Sequence, residues 1–115
     1  MTLHLLKNSI SMEEVREIAL EDYGMMVKGT VDIVKNRVAL GGDYHIETCE
    51  LLVQGGSSHT NIWGFNIRFE EDPNGVLEFD SLVNIKPAVG NKNRSVENPE
   101  IIEIATKIIH SWIKF

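Results

Sequence analysis

The chain has 115 residues, and its 17 acidic and 11 basic side chains give a formal net charge of -6. This length predicts a single globular domain over residues 1–115, with room for a hydrophobic core of its own. The charge argues against a nucleic-acid partner or an anionic-membrane surface, and no stretch approaches the roughly 20 apolar residues of a membrane span.

The first third of the chain predicts a strand, a helix and a strand pair. Apolar side chains in residues 3–6 indicate a short first strand. Ser11 followed by Glu14 is a capping box, because the hydroxyl and the carboxylate can each accept from an amide at a helix start. Residues 27–34 alternate in polarity as a strand does, and residues 38–40 can pair back with them.

The segment Gly41–Glu50 contains the densest set of reactive side chains, Gly-Gly-Asp-Tyr-His-Ile-Glu-Thr-Cys-Glu. A strand would place its histidine and an acid on the same face as apolar residues. A helix instead groups Ile46, Cys49 and Leu52 on one apolar side, with Asp43 able to cap its start. We therefore predict a helix with Ile46 and Cys49 in the core.

Helical phase leaves His45 as the candidate general base of this segment, with Glu47 or Glu50 as its polar neighbour. His45 and Cys49 are also one turn apart, which is the spacing of half a metal site or of a thiol–base pair. His59 is the one further ligand nearby in sequence. A cysteine among aliphatic side chains more often serves packing, and this is our interpretation of Cys49.

The second half predicts a hairpin followed by a helix. Residues 62–69 alternate as the clearest strand, Asp72–Gly75 is a turn, and residues 77–85 alternate along a returning strand. Asn98 before a proline starts the last helix. The predicted order is β-α-β-β-α-β-β-α, a two-layer α+β domain whose mixed or largely antiparallel sheet carries helices packed on it.

A second candidate region is the loop Pro87–Ser95, which concentrates basic and amide side chains within an acidic chain. Arg94 and the exposed amides around Asn91 suit an anion, which can contact both the loop and the start of the following helix. Asn66, beside Gly64 on the aromatic strand, is a further ligand-binding candidate on the solvent face. The alternative for the loop is an ordinary solvated connection. The alternative for Gly64 and Asn66 is an ordinary strand that binds no ligand.

A single cysteine cannot form an intramolecular disulfide, and this is typical of a reducing compartment. The first residues lack the basic and apolar regions of a secretory signal. The sequence therefore predicts a cytoplasmic protein. We expect neither a cofactor nor a resident metal.

Several short motifs occur in a fixed order along most of the chain: Gly-Gly-x-x-His at residues 41–45, Trp-Gly-x-Asn at residues 63–66 and Gly-Asn…Arg-Ser at residues 90–95. Together they resemble a family of small bacterial and archaeal proteins catalogued as a domain of unknown function. Lys92-Asn93 is an insertion relative to the tighter Gly-Asn-Arg-Ser of that family. The resemblance implies no activity, but it includes both segments selected above.

The leading hypothesis is a small binding or interaction module for a small molecule or a protein, a second copy of the chain included. Its candidate surface combines His45, Glu47, Asn66, Asn91 and Arg94. The alternative is a hydrolase or transferase acting on an anionic small molecule, with His45 as base, Glu47 or Glu50 as its orienter and Arg94 as anion clamp. A metal-binding protein is the second alternative. The enzyme hypothesis requires Gly41–Glu50 and Gly90–Ser95 to line one pocket.

Overall fold

A computed structural model of the protein describes residues 2–22 and 24–115. The strands are β1 His4–Leu5, β2 Ile10–Ser11, β3 Met26–Asp32, β4 Arg37–Leu40, β5 Ile62–Arg68, β6 Val76–Glu78 and β7 Ile113–Lys114. The helices are α1 Met12–Leu20, α2 His45–Gln54 and α3 Pro99–Trp112. Short 3₁₀ turns cover His59–Asn61, Leu82–Asn84 and Pro87–Val89.

Five of the strands form one antiparallel sheet in the order β1-β4-β3-β5-β6. The central pair, β3 with β5, is in register from Met26 opposite Arg68 to Asp32 opposite Ile62. The strands β2 and β7 form a separate parallel pair between the start of α1 and the end of α3. The predicted α+β class, with a largely antiparallel sheet and helices packed on it, is confirmed.

Helices cover both faces of the sheet. The helices α1 and α3 pack on the face that carries Val31 and Phe65, and this side contains the larger core. The helix α2 packs Cys49 and Leu52 on the opposite face, against Ala39 and Ile62. The sheet therefore lies between two helical layers, whereas we had predicted two layers in all. Strand patterns identify apolar faces but not which helix covers each face.

Two of the predicted helix starts are confirmed at atomic detail. The hydroxyl oxygen of Ser11 accepts a hydrogen bond from the amide of Glu14 at 3.2 Å, and α1 follows directly. The side-chain oxygen of Asn98 accepts one from the amide of Glu100 at 2.9 Å, at the start of α3. No helix in residues 2–22 and 24–115 is long and apolar enough to cross a membrane.

The returning strand predicted over residues 77–85 is shorter, since β6 ends at Glu78 and a 3₁₀ turn follows at Leu82–Asn84. Ser81 caps this turn by accepting from the amide of Val83 at 3.1 Å. The Asn84 side chain then takes the place of a strand: its oxygen accepts from the amide of Gly64 at 2.7 Å, and its nitrogen donates to the Gly64 carbonyl at 3.0 Å.

Gly29 in β3 makes room for an aromatic ring, and we expect Gly29→Ala to destabilise the fold. A Cβ at this position would lie 2.5 Å from Cζ of Phe65 and 2.8 Å from Cδ2 of Leu40. Overpacking of this kind lowers the free energy of unfolding by about 1–3 kcal/mol, which urea denaturation measures. The loss should be smaller in a Phe65→Leu background, and equal losses in both backgrounds would contradict a steric cause.

Candidate functional site

The start of α2 is positioned by local backbone contacts. Gly41 follows β4 with a φ of 109°, a conformation that side chains disfavour, and a Cβ there would collide with the carbonyl of Thr2. The Glu47 carboxylate then accepts hydrogen bonds from the amides of Asp43 at 2.8 Å and Tyr44 at 2.9 Å. Glu47, rather than Asp43, therefore caps the helix, and its carboxylate is occupied there.

His45, the first residue of α2, is buried against the sheet, with 9% of its surface exposed. Its Nε2 lies 2.9 Å from the carbonyl oxygen of Phe65. A carbonyl only accepts hydrogen bonds, so Nε2 carries a proton, and whenever the ring is neutral Nδ1 has the free lone pair.

The surroundings of His45 favour its neutral form. Burial is the largest cause that lowers the pKa of His45 below its ordinary value, and the positive charges of Lys28 and Arg94 act in the same direction. The Phe65 carbonyl opposes this shift, as does the Asn66 side chain, which faces the ring without reaching hydrogen-bond geometry. His45 is consequently a proton acceptor at neutral pH.

Asn66 on β5 contributes a buried acceptor. Its side-chain nitrogen donates to Oε1 of Glu78 at 3.2 Å and to the carbonyl of Asp80 at 3.0 Å. Only 4% of its surface is exposed, and its oxygen Oδ1 has no hydrogen-bond partner among residues 2–22 and 24–115. An unsatisfied buried acceptor destabilises a fold by about 1–3 kcal/mol, so a bound donor at this oxygen would be favourable.

Arg94 reaches the same region from the loop before α3. The amide of Ser81 donates to the Arg94 carbonyl at 3.1 Å, which fastens this loop beside the end of β6. The guanidinium donates through Nε to Oδ1 of Asp80 at 2.8 Å, and Arg94 is 57% exposed at its side chain.

The buried side chain of Asn91 holds this loop together through hydrogen bonds. Its side-chain nitrogen donates to three carbonyls, those of Asn84 at 2.7 Å and of Asn93 and Ser95 at 3.0 Å. Its oxygen accepts from the amide of Glu97 at 2.8 Å, and the residue is 4% exposed. Asn91 therefore holds the loop that carries Arg94, and its polar atoms are used within the protein.

His45, Asn66 and Arg94 line one pocket of about 610 Å³. The segments Gly41–Glu50 and Gly90–Ser95 thus meet, as the enzyme hypothesis requires. The apolar lining residues are Met26, Tyr44, Ile46, Leu82 and Val83, and the other polar ones are Lys28, Glu78, Asp80 and Ser81.

Several expected residues lie elsewhere. Glu47, Glu50 and Asn91 do not line the pocket, and the Phe65 carbonyl rather than a carboxylate holds the His45 ring. Ile46, predicted in the core, is 47% exposed because the first turn of α2 forms a wall of the pocket.

Sequence reasoning missed Lys28, which lines the pocket on β3. Lys28 lies opposite Asn66, which lies opposite Glu78, so the three residues form one row across the sheet. The Lys28 ammonium donates to the carbonyl of Asp43 and lies 5.5 Å from the centre of the Tyr44 ring. Lys28 could have been selected because it is a polar residue in the alternating strand pattern of residues 27–34. Its position in a row with Asn66 and Glu78 depends on the strand register, which the sequence alone does not reveal.

Cys49 is fully buried in the smaller core, in agreement with our packing interpretation. Its Sγ lies 3.4 Å from Nδ1 of His59. Burial raises the pKa of the Cys49 thiol, an effect that the positive charge of Lys86 partly offsets. In the described part of the chain, no three His, Cys, Asp or Glu side chains are grouped so that they could hold a metal ion.

We expect the burial of His45 to make the fold less stable in mild acid. The folded-state pKa is the lower one, so as the pH falls below about 6.5 the unfolded chain binds the proton first. The contribution of neutral His45 to the free energy of unfolding is thus complete above this pH. It declines below this pH until His45 in the folded protein is also protonated. Urea unfolding at a series of pH values should show a shallower decline for His45→Gln. Identical profiles for His45→Gln and the wild type would contradict the expectation.

We expect Asn91→Ala to destabilise the protein by at least about 2 kcal/mol, since it removes a buried amide and leaves its partners unsatisfied. Asn93→Ala is the matched control, because Asn93 is exposed and its side chain donates only to Glu97 among the described residues. That control should stay within about 0.5 kcal/mol of the wild type in urea denaturation. Similar small losses for both variants would mean that the loop does not depend on Asn91.

Residues 4–112 match the model of a family described as a protein of unknown function, DUF5674. No curated protein and no solved structure matches the chain significantly. The family match spans nearly the whole domain and confirms the resemblance to an uncharacterised family. The chain belongs to the DUF5674 family.

Proposed function

We propose that the pocket between α2, β5 and the Arg94 loop binds a small organic anion. The observation that carries this proposal is convergence: His45, Asn66 and Arg94 come from three separate segments and line one concave, largely apolar-walled pocket. Ligand sites in proteins commonly combine apolar walls with a few placed polar groups, and this pocket has both.

The charges around the pocket support an anionic ligand group. The two carboxylates that line the pocket already form ion pairs, Asp80 with Arg94 at 2.8 Å and Glu78 with Arg68 at 3.1 Å. Arg94 uses only Nε in its ion pair, and its terminal nitrogens make no hydrogen bond within the described residues. A guanidinium fork of this kind is suited to a carboxylate or a phosphate. Lys28 adds a second positive charge to the lining.

A hydrolase or transferase remains the second candidate, and the state of His45 favours it. The Phe65 carbonyl holds Nε2, and burial lowers the pKa of His45, so the neutral ring offers Nδ1 as a proton acceptor. In this scheme the ring is oriented by a backbone carbonyl instead of Glu47 or Glu50. Turnover of a bound anion that is lost in His45→Gln, with binding retained, would separate catalysis from simple binding.

The test is a screen of small carboxylates and phosphates by protein-observed NMR, which locates chemical-shift changes on the protein, followed by calorimetry on Arg94→Gln. Loss of a charged hydrogen bond should weaken binding about 10- to 100-fold. Arg16→Gln is the matched control, because Arg16 on α1 donates to the carbonyl of Pro73 and lies on the other side of the sheet.

Undiminished binding by Arg94→Gln would overturn the proposal, as would chemical-shift changes confined to another surface, such as the polar face of α3. Shift changes around the pocket caused by a protein instead of by any small anion would point to the interaction-module hypothesis.

A further inference from the structure

We propose that the ligand is amphipathic, with an anionic head that also carries an O–H or N–H donor, and an apolar tail that crosses Ile46 and Leu82 into the neighbouring pocket. This inference rests on the proposed function, because the head occupies the pocket that contains Asn66 and Arg94. It adds the chemical class of the ligand and a second subsite for its tail.

The donor on the head is inferred from Asn66, which lines the first pocket. Oδ1 of Asn66 is buried without a hydrogen-bond partner within the described residues, and Nδ1 of neutral His45 is an acceptor as well. A ligand that brought only acceptors would leave Oδ1 unsatisfied and would gain nothing there. The anionic group belongs at the rim, where Arg94 lies.

The tail subsite is a second pocket of about 320 Å³ that shares a wall with the first. Ile46, Leu82 and Val83 line both pockets, and Ile85 and Val89 extend the second. The apolar exposure here is high, since Leu82 is 69% exposed and Val89 is 47% exposed. A contiguous apolar surface beside a polar pocket is typical of a binding groove.

Two of the polar side chains that line the second pocket, Lys86 and His59, contact protein groups. The Lys86 ammonium donates to the carbonyl of Val83 at 3.0 Å and lies 5.3 Å from the centre of the Trp63 ring. Nδ1 of His59 contacts the thiol of Cys49. The rest of the lining is apolar except for Thr60, and therefore an apolar tail fits this pocket better than a second charged group.

The experiment measures the affinity of a chain-length series by calorimetry: 3-hydroxybutyrate, 3-hydroxyhexanoate, 3-hydroxyoctanoate and 3-hydroxydecanoate, each below its micelle concentration. Burial of each methylene should tighten binding about fourfold until the second pocket is filled. Octanoate lacks the donor for Asn66 and should bind about tenfold more weakly than 3-hydroxyoctanoate.

A matched pair of variants assigns the effect to the second pocket. Val89→Ser should flatten the dependence on chain length and leave the affinity for 3-hydroxybutyrate unchanged, because Val89 lines only the second pocket. Val34→Ser is the control, since Val34 is 63% exposed in the turn after β3 and lines neither pocket. It should leave the whole series unchanged.

Three outcomes would overturn the inference. If all chain lengths bind equally and Arg94→Gln weakens them all, the tail subsite is wrong and the proposed function stands. A chain-length dependence that Val89→Ser leaves intact would show nonspecific adsorption instead of a groove. If no member of the series binds, the amphipathic class is wrong, and the separate screen with Arg94→Gln decides the proposed function.

Discussion

The antiparallel pairing of β3 with β5 is the constraint on which the candidate site depends. Its register places Lys28 opposite Asn66 on one face, while Val31 and Trp63 lie opposite each other on the other face. A shift by one residue would exchange these faces, moving the polar row into the main core. The same hydrogen-bonded ladder therefore determines where the protein packs and where it presents polar groups.

The pocket exists because the sheet stops early on one side. The strand β6 pairs with β5 only as far as Glu78 opposite Asn66, and the Asn84 side chain satisfies Gly64 beyond that point. One amide side chain thereby replaces a strand, and the chain can turn away from the sheet without leaving the Gly64 backbone unpaired. The space next to α2 is bounded by this turn instead of being filled by a longer strand.

Local signals in the sequence were sufficient for much of the fold. The caps at Ser11 and Asn98 and the aromatic strand follow from short-range chemistry, and His45 and Arg94 were selected because each lies in a glycine-rich, polar segment. The packing of segments that are far apart in the chain could not be predicted from the sequence. Whether Glu47 caps a helix or orients His45, and whether Ile46 faces the core or a pocket, depends on how α2 lies on the sheet.

In the loop that carries Arg94, one residue holds the base in place and other residues form the tip. Asn91 binds the base of the loop, while Lys92 and Asn93 form its tip through contacts with the Glu97 carboxylate. A tip tied to a surface carboxylate can lengthen or shorten while the buried amide keeps the base in place. The tip can therefore change in length or sequence while Arg94 keeps its place at the pocket.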